Sequence, residues 1–250
     1  MRIFTPFAVF VLAFAAGAAE IPDVIADEDG PLWVAADVAV TPEGQLRTGA
    51  FGRFGESVER DARVAAERER ASSSSDECQT YFGNAVCTHF EPTSTIDDLT
   101  SRAGEIVAGV IVAVRQGFWG GSPGSLLLLD ATYLKGSKPR ETYLFYPYAR
   151  IVTADAALCA KPLGPFVPPR PGDRLLIFSM GKPIPPRDDR HVFQVRTDRE
   201  LVHEPRGGDL LVPDSLLPYA GELRQFDAVL DAVVQRLGLF GCGTPTPSHE

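Results

Sequence analysis

The sequence predicts a mainly β protein, a small five-stranded barrel with flanking helices. Residues 105 to 178 contain apolar runs rich in Val, Ile, Leu and Tyr, which is the composition of buried strands. Segments rich in glycine and proline separate these runs, as turns and loops do. A long stretch with helical spacing of apolar residues follows only near the C-terminus.

The chain opens with a predicted secretory signal peptide, residues 1–19. The cationic residue Arg2 is followed by an apolar stretch and then by small residues ending at Ala19, the layout of a cleavable signal. Its apolar core is too short to span a bilayer comfortably, although an uncleaved anchor is the alternative. We therefore expect a secreted or periplasmic protein without membrane insertion after signal cleavage.

Residues 20–75 are predicted to form an N-terminal region outside the barrel. Residues 20–31 are acidic and contain proline, which indicates an irregular lead-in. The runs LWVAADVAV and LRTGAFGRF flank a Pro-Glu-Gly turn and predict a β-hairpin. Residues 56–71 predict an exposed helix stabilised by charge pairs one turn apart, and the serine run 72–75 predicts a linker.

Residues 76–240 are predicted to hold the barrel and its C-terminal helix. The segment TSTIDDLTSRA predicts a short helix feeding the first strand. That strand begins at Glu105 and is apolar on both faces, so we expect it to be covered on both, with a bulge or coil at Gly109. QGFWGGSPG is predicted as a glycine-rich connection. The remaining strands are predicted at SLLLLDATYLKG, RETYLFYP, DRLLIFS and HVFQVR.

The rest of the chain is predicted as loops, one hairpin and one helix. Residues 148–172 form a loop with a helical turn at TADAALCA, and TDRELVHEPRGGDLLVPD predicts a short hairpin. SLLPYAGELRQFDAVLDAVVQRLG predicts an amphipathic helix that ends at Gly238. Its apolar face is too continuous to be left in water, so it should pack on the barrel or on a partner. Residues 241–250 are a tail.

Four cysteines in a chain predicted to be exported indicate two disulfides: Cys78, Cys87, Cys159 and Cys242. Three pairings are possible, and the sequence does not choose among them. We favour Cys78 with Cys87, which flank a short turn, leaving Cys159 for Cys242. A zinc site built from all four is disfavoured because no C-x2-C pair is present, and we predict neither a metal nor a cofactor.

The charge of the chain argues against a polyanionic partner. Its 24 Lys and Arg residues face 33 Asp and Glu residues, a net charge of −9. No Lys/Arg cluster could neutralise a run of phosphates, so we do not expect binding to nucleic acid. The same deficit argues against docking on anionic lipid.

Several short motifs resemble the netrin-like family. They are the strand order, the Leu134-Lys135-Gly136 end of the second strand, Cys159 after the third, and PRPGDRLLIF entering the fourth. The resemblance covers roughly residues 76–240. It implies the OB-type barrel that this family shares with tissue inhibitors of metalloproteinases.

The resemblance also implies a possible metallopeptidase-inhibitor-like function. Known inhibitors of this family grip the protease metal with a mature N-terminal cysteine. The first cysteine here, Cys78, lies far beyond the predicted cleavage point, so inhibition by that route is not expected.

One cluster could support catalysis. His191 stands near Asp188 and Asp189, which could orient a catalytic imidazole or bind a metal. The sequence has no H-E-x-x-H or G-x-S-x-G motif, and a solvated loop is the favoured interpretation. A periplasmic or extracellular hydrolase that uses these residues is the alternative function.

Five aromatic residues are candidate binding residues: Phe118, Trp119, Tyr143, Tyr146 and Tyr148. The first two are either tucked against the barrel or displayed for contact. The three tyrosines would make a platform for a peptide or carbohydrate if several lay on one open face. Without a catalytic constellation, the sequence predicts a non-enzymatic binding module whose partner is an exported protein such as a peptidase, or a glycan.

Overall fold

The computed structural model describes nine parts of the chain. They are residues 20–47, 49, 79–80, 95–154, 157–160, 166–181, 189–194, 201–212 and 225–239, with only the backbone described at 79–80. Several predictions fall outside them: the signal peptide 1–19, the helix 56–71, the linker 72–75, the tail 241–250, Cys78, Cys87, Cys242 and Asp188.

The described residues form a mainly β fold with a few helices. In chain order the elements are β1 (Val24–Asp27), β2 (Gly30–Ala35), α1 (Ala36–Ala39), β3 (Gln79–Thr80), α2 (Ile96–Arg102), β4 (Glu105–Trp119), β5 (Ser122–Lys135), β6 (Glu141–Tyr146), β7 (Ala149–Val152), β8 (Ala157–Ala160), β9 (Arg174–Ser179), β10 (Arg190–Gln194), β11 (Leu201–Glu204) and α3 (Phe226–Arg236). The five strands predicted from the apolar runs are confirmed as β4, β5, β6, β9 and β10.

Strand β4 joins the main sheet together. Its 15 residues pair antiparallel with β5 along almost their whole length. On its other edge, the first part of β4 pairs with β9 and the last three residues pair with β2. Strand β6 follows β5, β10 lies parallel beside β6, and β11 lies outside β9. No pairing among the described strands joins β10 to β11, so hydrogen bonds do not close this sheet there.

The glycine-rich stretch after Arg115 is strand rather than connection. Only Gly120 and Gly121 make the turn, with φ angles of +54° and +85°. Gly117 and Gly124 lie directly opposite each other in the β4–β5 ladder. A Cβ on Gly117 would lie 2.4 Å from the Val34 carbonyl oxygen, so these glycines serve close packing.

The predicted bulge of β4 is displaced from Gly109. The register shifts at Ile106/Val107 and again between Ile111 and Ala113, on either side of that glycine. A Cβ on Gly109 would approach the Asp130 carbonyl oxygen to 3.0 Å. A close approach of backbones therefore accounts for this glycine, and the strand bends nearby.

A hairpin that was not predicted begins the main sheet. Residues 24–35 form it through β1 and β2. Of the predicted hairpin around Pro-Glu-Gly, the described residues show one bridge between Val40 and Leu46, with α1 in the first run. Most of its second run, at 48 and 50–54, lies outside the described residues. Trp33 of β2 lies opposite Trp119, so the β1–β2 hairpin continues the main sheet instead of standing outside it.

The loop between β6 and β9 contains a second sheet. The predicted helical turn at TADAALCA is wrong, because residues 157–160 form β8. Strand β8 pairs with β7 and with the short β3. The burial of β7 alternates along its length, the pattern of a strand with one face against a core.

Helices cover one part of the main sheet. Helix α2 begins at the predicted cap, where the Thr95 hydroxyl accepts the Asp98 amide at 3.0 Å. Helix α3 ends where Gly238 adopts a φ of +66°, as predicted. The two helices pack on the outer face of β4, β9 and β11, through buried residues that include Leu99, Val229 and Val233.

The interior cluster draws on every core strand. Its buried members are Val107, Ile111, Leu127, Leu129, Ala131, Leu144, Tyr146, Leu175, Ile177, Phe193 and Leu201. Outside it, the β1–β2 hairpin covers β5, β6 and β10 with a second cluster that includes Trp33 and Trp119. The prediction that β4 is covered on both faces holds at Ile106 and Val107 but is wrong at Val110 and Val112, which are exposed.

Candidate functional site

Two histidine–carboxylate pairs stand beside the interior cluster. Along β10, His191 precedes the cluster member Phe193 by two residues, and along β11, His203 follows the member Leu201 by two. Because side chains alternate across a strand, both imidazoles lie on the side of the sheet that faces the cluster. His191 meets Glu105, and His203 meets Asp173.

Asp173 is the hub of the buried pair. Its Oδ2 lies 2.9 Å from His203 Nε2 and accepts the Arg170 amide at 2.9 Å. Its Oδ1 accepts the Arg206 amide at 2.8 Å. The carboxylate therefore ties the turn before β9 to β11 and to the turn that follows β11. A fully buried carboxylate is stable here because each oxygen has hydrogen-bond donors.

The His203 ring is held in one tautomer. The Asp173 carboxylate is an acceptor, so His203 Nε2 carries the proton and donates. His203 Nδ1 is buried and has no hydrogen-bond partner in the described part of the chain. Burial lowers the pKa of His203, and this desolvation outweighs the opposing effect of Asp173. The pair is thus a neutral imidazole beside a carboxylate.

The second pair is partly accessible. His191 Nε2 lies 3.0 Å from Glu105 Oε2, without the alignment of a hydrogen bond. The ring stacks on Phe193 with centroids 4.8 Å apart and meets the edge of Tyr133. The hydroxyls of Tyr133 and Thr142 lie 3.0 Å apart. Burial raises the pKa of Tyr133 to about 12, with a further contribution from the charge of Glu105.

Of the two carboxylates predicted to orient His191, Asp188 lies outside the described residues and Asp189 is not the one at the ring. Asp189 is exposed and has a φ of +60°, and the carboxylate at the imidazole is that of Glu105. No spacing in the sequence indicates this contact, because Glu105 and His191 meet only when β4 and β10 fold. His203 was missed as well, because it meets Asp173 only when β11 pairs with β9.

The predicted binding aromatics belong mostly to the core. Phe118, Trp119, Tyr143 and Tyr146 are all buried, so the described chain presents no platform made of these rings. Tyr148 is half-buried and packs on Phe166 with centroids 5.4 Å apart. A binding role for these residues stays a prediction, and for the four buried rings it would require local opening.

An open strip crosses the outer face of β4 and β5. Val110 and Val112 are 41% and 43% exposed, and Val110 lies opposite the exposed Asp130. Thr132, two residues further along β5, is exposed on the same face. We call these four residues the open strip. The helices cover one part of this outer surface and the N-terminal hairpin covers another.

Arg115 fastens the N-terminal segment beside this face. Its guanidinium lies 2.7 Å from Asp23 and 2.8 Å from Asp37, and it donates to the Ile21 carbonyl at 2.8 Å. A cleft of about 470 Å³ lies between residues 20–23 and 113–115. The side chain of Arg115 is therefore committed to holding the hairpin in place.

Cys159 is the one cysteine among the described residues. It is buried in β8 and takes part in a disulfide. Its position opposite Thr80 brings the segment around β3 to the second sheet. The pairings of Cys78 with Cys87 and of Cys159 with Cys242 stay predictions.

Comparisons with known proteins add no relative. No protein-family model matches the chain, and no curated protein and no solved structure matches it. Within the described residues, no group of three or more metal-ligating side chains gathers. Each helix described is too short or too polar to cross a bilayer.

Proposed function

We propose that this chain is an exported, non-enzymatic binding module built on an OB-type barrel of the netrin-like kind. The support for the barrel is that the five predicted strands, together with β11, contribute side chains to one buried cluster. Strand β10 lies parallel to β6 at one end of the order, and β9 lies on the far edge of β4. The predicted signal peptide and the even number of cysteines support export.

The open strip is the observation that carries the binding proposal. Two valines on one face of a central strand are left in water, although the same face is covered on either side. Asp130 and Thr132 beside them can fix the orientation of a partner by hydrogen bonds. The expected partner is an exported protein such as a peptidase, or a glycan, and it would approach the sheet surface rather than enter the packed interior.

Affinity capture with a strip variant tests this proposal. The mature chain, residues 20–250, is used against the envelope and secreted fractions of the source cell. The double variant Val110→Lys, Val112→Lys should lose the captured partner, because it places two charges in the apolar contact. Circular dichroism should show that it remains folded.

A control variant separates this loss from a general effect of charge. Val152 is 64% exposed on β7 in the second sheet, so Val152→Lys adds one lysine, half the added charge of the double variant, away from the strip. It should capture the partner as the unmodified chain does. Equal capture by all three proteins, or capture of nothing by the unmodified chain, would reject the strip as the binding surface.

A periplasmic or extracellular hydrolase is the second candidate, and one contact favours it. Glu105 lies at the imidazole of His191, as a carboxylate that orients a general base would. A screen of ester and peptide substrates tests it. His191→Ala should abolish any activity found, whereas Asp189→Asn should leave it intact, since Asp189 points to solvent. Full activity of His191→Ala would eliminate this candidate.

A further inference from the structure

The Asp173 hub reaches the open strip through the main chain. The Ile111 amide donates to the Asp173 carbonyl at 2.9 Å, and the Gly172 amide donates to the Ile111 carbonyl at 2.8 Å. Ile111 lies between Val110 and Val112, at the irregularity in the register of β4. One residue therefore holds the strip with its backbone and His203 with its side chain.

The other side of the hub is a hairpin. His203 and Leu211 exchange two backbone hydrogen bonds, at 2.9 and 2.8 Å, around the turn that contains Arg206. The Arg206 amide and His203 Nε2 both bond to the Asp173 carboxylate. The 203–211 hairpin is thus fastened to the turn before β9 by one buried carboxylate.

The surroundings of His203 favour the neutral ring. The titratable groups that face the ring are Asp173, from the turn before β9, and Tyr146 of β6, whose ring meets the imidazole edge at 6.4 Å. Its neighbours in the two adjoining backbone pairings are Leu175 and Leu211, which carry no charge. A proton added at Nδ1 would be a buried donor without an acceptor in the described chain.

We propose that the His203–Asp173 pair is an acid-sensitive latch. Protonation of His203 favours an open form in which the 203–211 hairpin has left Asp173 and the imidazole is in water, and this opening loosens the bend of β4 that carries Val110 and Val112. The latch rests on the buried contact between His203 and Asp173 and on His203 Nδ1, which has no acceptor among the described residues. Its effect on partner capture rests on the function proposed above.

The direction of the pH effect follows from linkage. The pKa of His203 is lower in the folded chain than its ordinary value of 6.5, so the open form binds the proton more tightly. The closed latch is therefore most favoured above pH 6.5 and becomes less favoured as the pH falls from there toward the lower pKa of His203 in the folded chain. Opening exposes the imidazole to water, which removes the desolvation cost of its charge.

Amide hydrogen exchange of the isolated chain tests the latch without any partner. Protection factors, corrected for the intrinsic rates, are measured between pH 7.5 and 5 for the Arg206 and Ile111 amides. Both should fall below pH 6.5, by at most about tenfold per pH unit for one linked proton. Constant protection of both amides across this range would overturn the proposal.

Two variants identify the responsible histidine. His203→Gln keeps a side-chain donor for Asp173 but cannot be titrated, so its protection factors should not change with pH. His191→Gln, the matched control, should retain the dependence of the unmodified chain. The assignment would be refuted if His203→Gln still lost protection as the pH falls, or if His191→Gln no longer did. If His203→Gln does not fold, the nitrogen chemical shifts of the His203 ring in the unmodified chain decide: a neutral ring across the whole range refutes the latch.

Discussion

Gly117 lies opposite Gly124 across the β4–β5 ladder, and each is covered by a neighbouring aromatic ring. Trp33 carbon atoms would lie 2.6 and 2.7 Å from a Cβ on Gly117, and the Phe145 ring would lie 2.3 Å from one on Gly124. The missing side chains allow two large rings to settle directly on the backbone. These glycines therefore let the β1–β2 hairpin and β6 pack directly on the hairpin of β4 and β5.

Gly117→Ala should destabilise the fold. Its Cβ would meet a backbone carbonyl as well as a ring, so rotating one side chain cannot relieve the clash. Urea denaturation should show a loss of about 1–3 kcal/mol in the free energy of unfolding, the usual cost of overpacking. Gly104→Ala is the control, since its Cβ would make an ordinary 3.8 Å contact. Equal stability of the two variants would contradict this packing.

Asp173→Ala should lower the free energy of unfolding far more than removal of an exposed carboxylate does. It leaves the Arg170 and Arg206 amides and the His203 ring without their shared acceptor. Each buried donor left without an acceptor typically costs about 1–3 kcal/mol in unfolding free energy. Asp209→Ala, at an exposed position nearby, should change it little. The comparison is made by urea denaturation, and similar midpoints for the two variants would speak against the hub.

Tyr133 and Tyr146 should titrate late in alkali. Burial raises the pKa of Tyr133 and of Tyr146 to about 12. Since both pKa values are raised on folding, the stability they contribute is complete below the ordinary value of 10.0 and is lost as the pH rises through 12. Ultraviolet absorbance of the phenolates would show the delay.

The variant Tyr146→Phe tests whether Tyr146 is one of the phenols that titrate late. The variant should remove one of the late-titrating groups and leave the other, that of Tyr133. Its far-ultraviolet circular dichroism should match that of the unmodified chain. Titration of all tyrosines near pH 10 while the chain remains folded would disprove the burial of these phenols.

Arg115→Gln should loosen the N-terminal hairpin. Its ion pairs with Asp23 and Asp37 are partly exposed, so we expect a loss of about 1 kcal/mol that shrinks in high salt. The hydrogen bond from Arg115 lowers the pKa of Asp37, so this contribution is present above the ordinary value of 3.8 and disappears as the pH falls further. The difference in unfolding free energy between variant and unmodified chain should therefore vanish in acid.

Hydrogen exchange across residues 24–35 localises this effect. Exchange there should be faster in Arg115→Gln and unchanged in Arg150→Gln, which alters an exposed guanidinium on β7. Equal exchange in both variants would show that Arg115 does not hold the hairpin.

Local patterns predicted much of this fold because the responsible forces are local. Alternating and continuous apolar runs marked β4, β5, β6, β9 and β10, and a threonine cap with acidic neighbours marked α2. The hairpin of β1 and β2 was not predicted, for a different reason. Val24–Asp27 is short and acidic at its end, and it is a strand because it pairs with β2, which the main sheet holds.

The glycine-rich stretch around Trp119 was predicted incorrectly for a related reason. The number of its glycines suggested a flexible connection, whereas the two in the strands make room for rings that come from elsewhere in the chain. The candidate site was the least predictable part. Asp173 meets His203, and Glu105 meets His191, only through strand pairing, so neither contact leaves a spacing in the sequence.

The antiparallel pairing of β2 with the end of β4 also orders events during synthesis. Trp33 emerges early, but the strand that receives it is complete only when Trp119 has been made. Until then the indole and the apolar face of the first hairpin have no native cover, and closure of so long a loop is slow. The nascent chain therefore exposes an aggregation-prone N-terminal hairpin through most of the first half of its translation. A holding chaperone would be most useful during this interval.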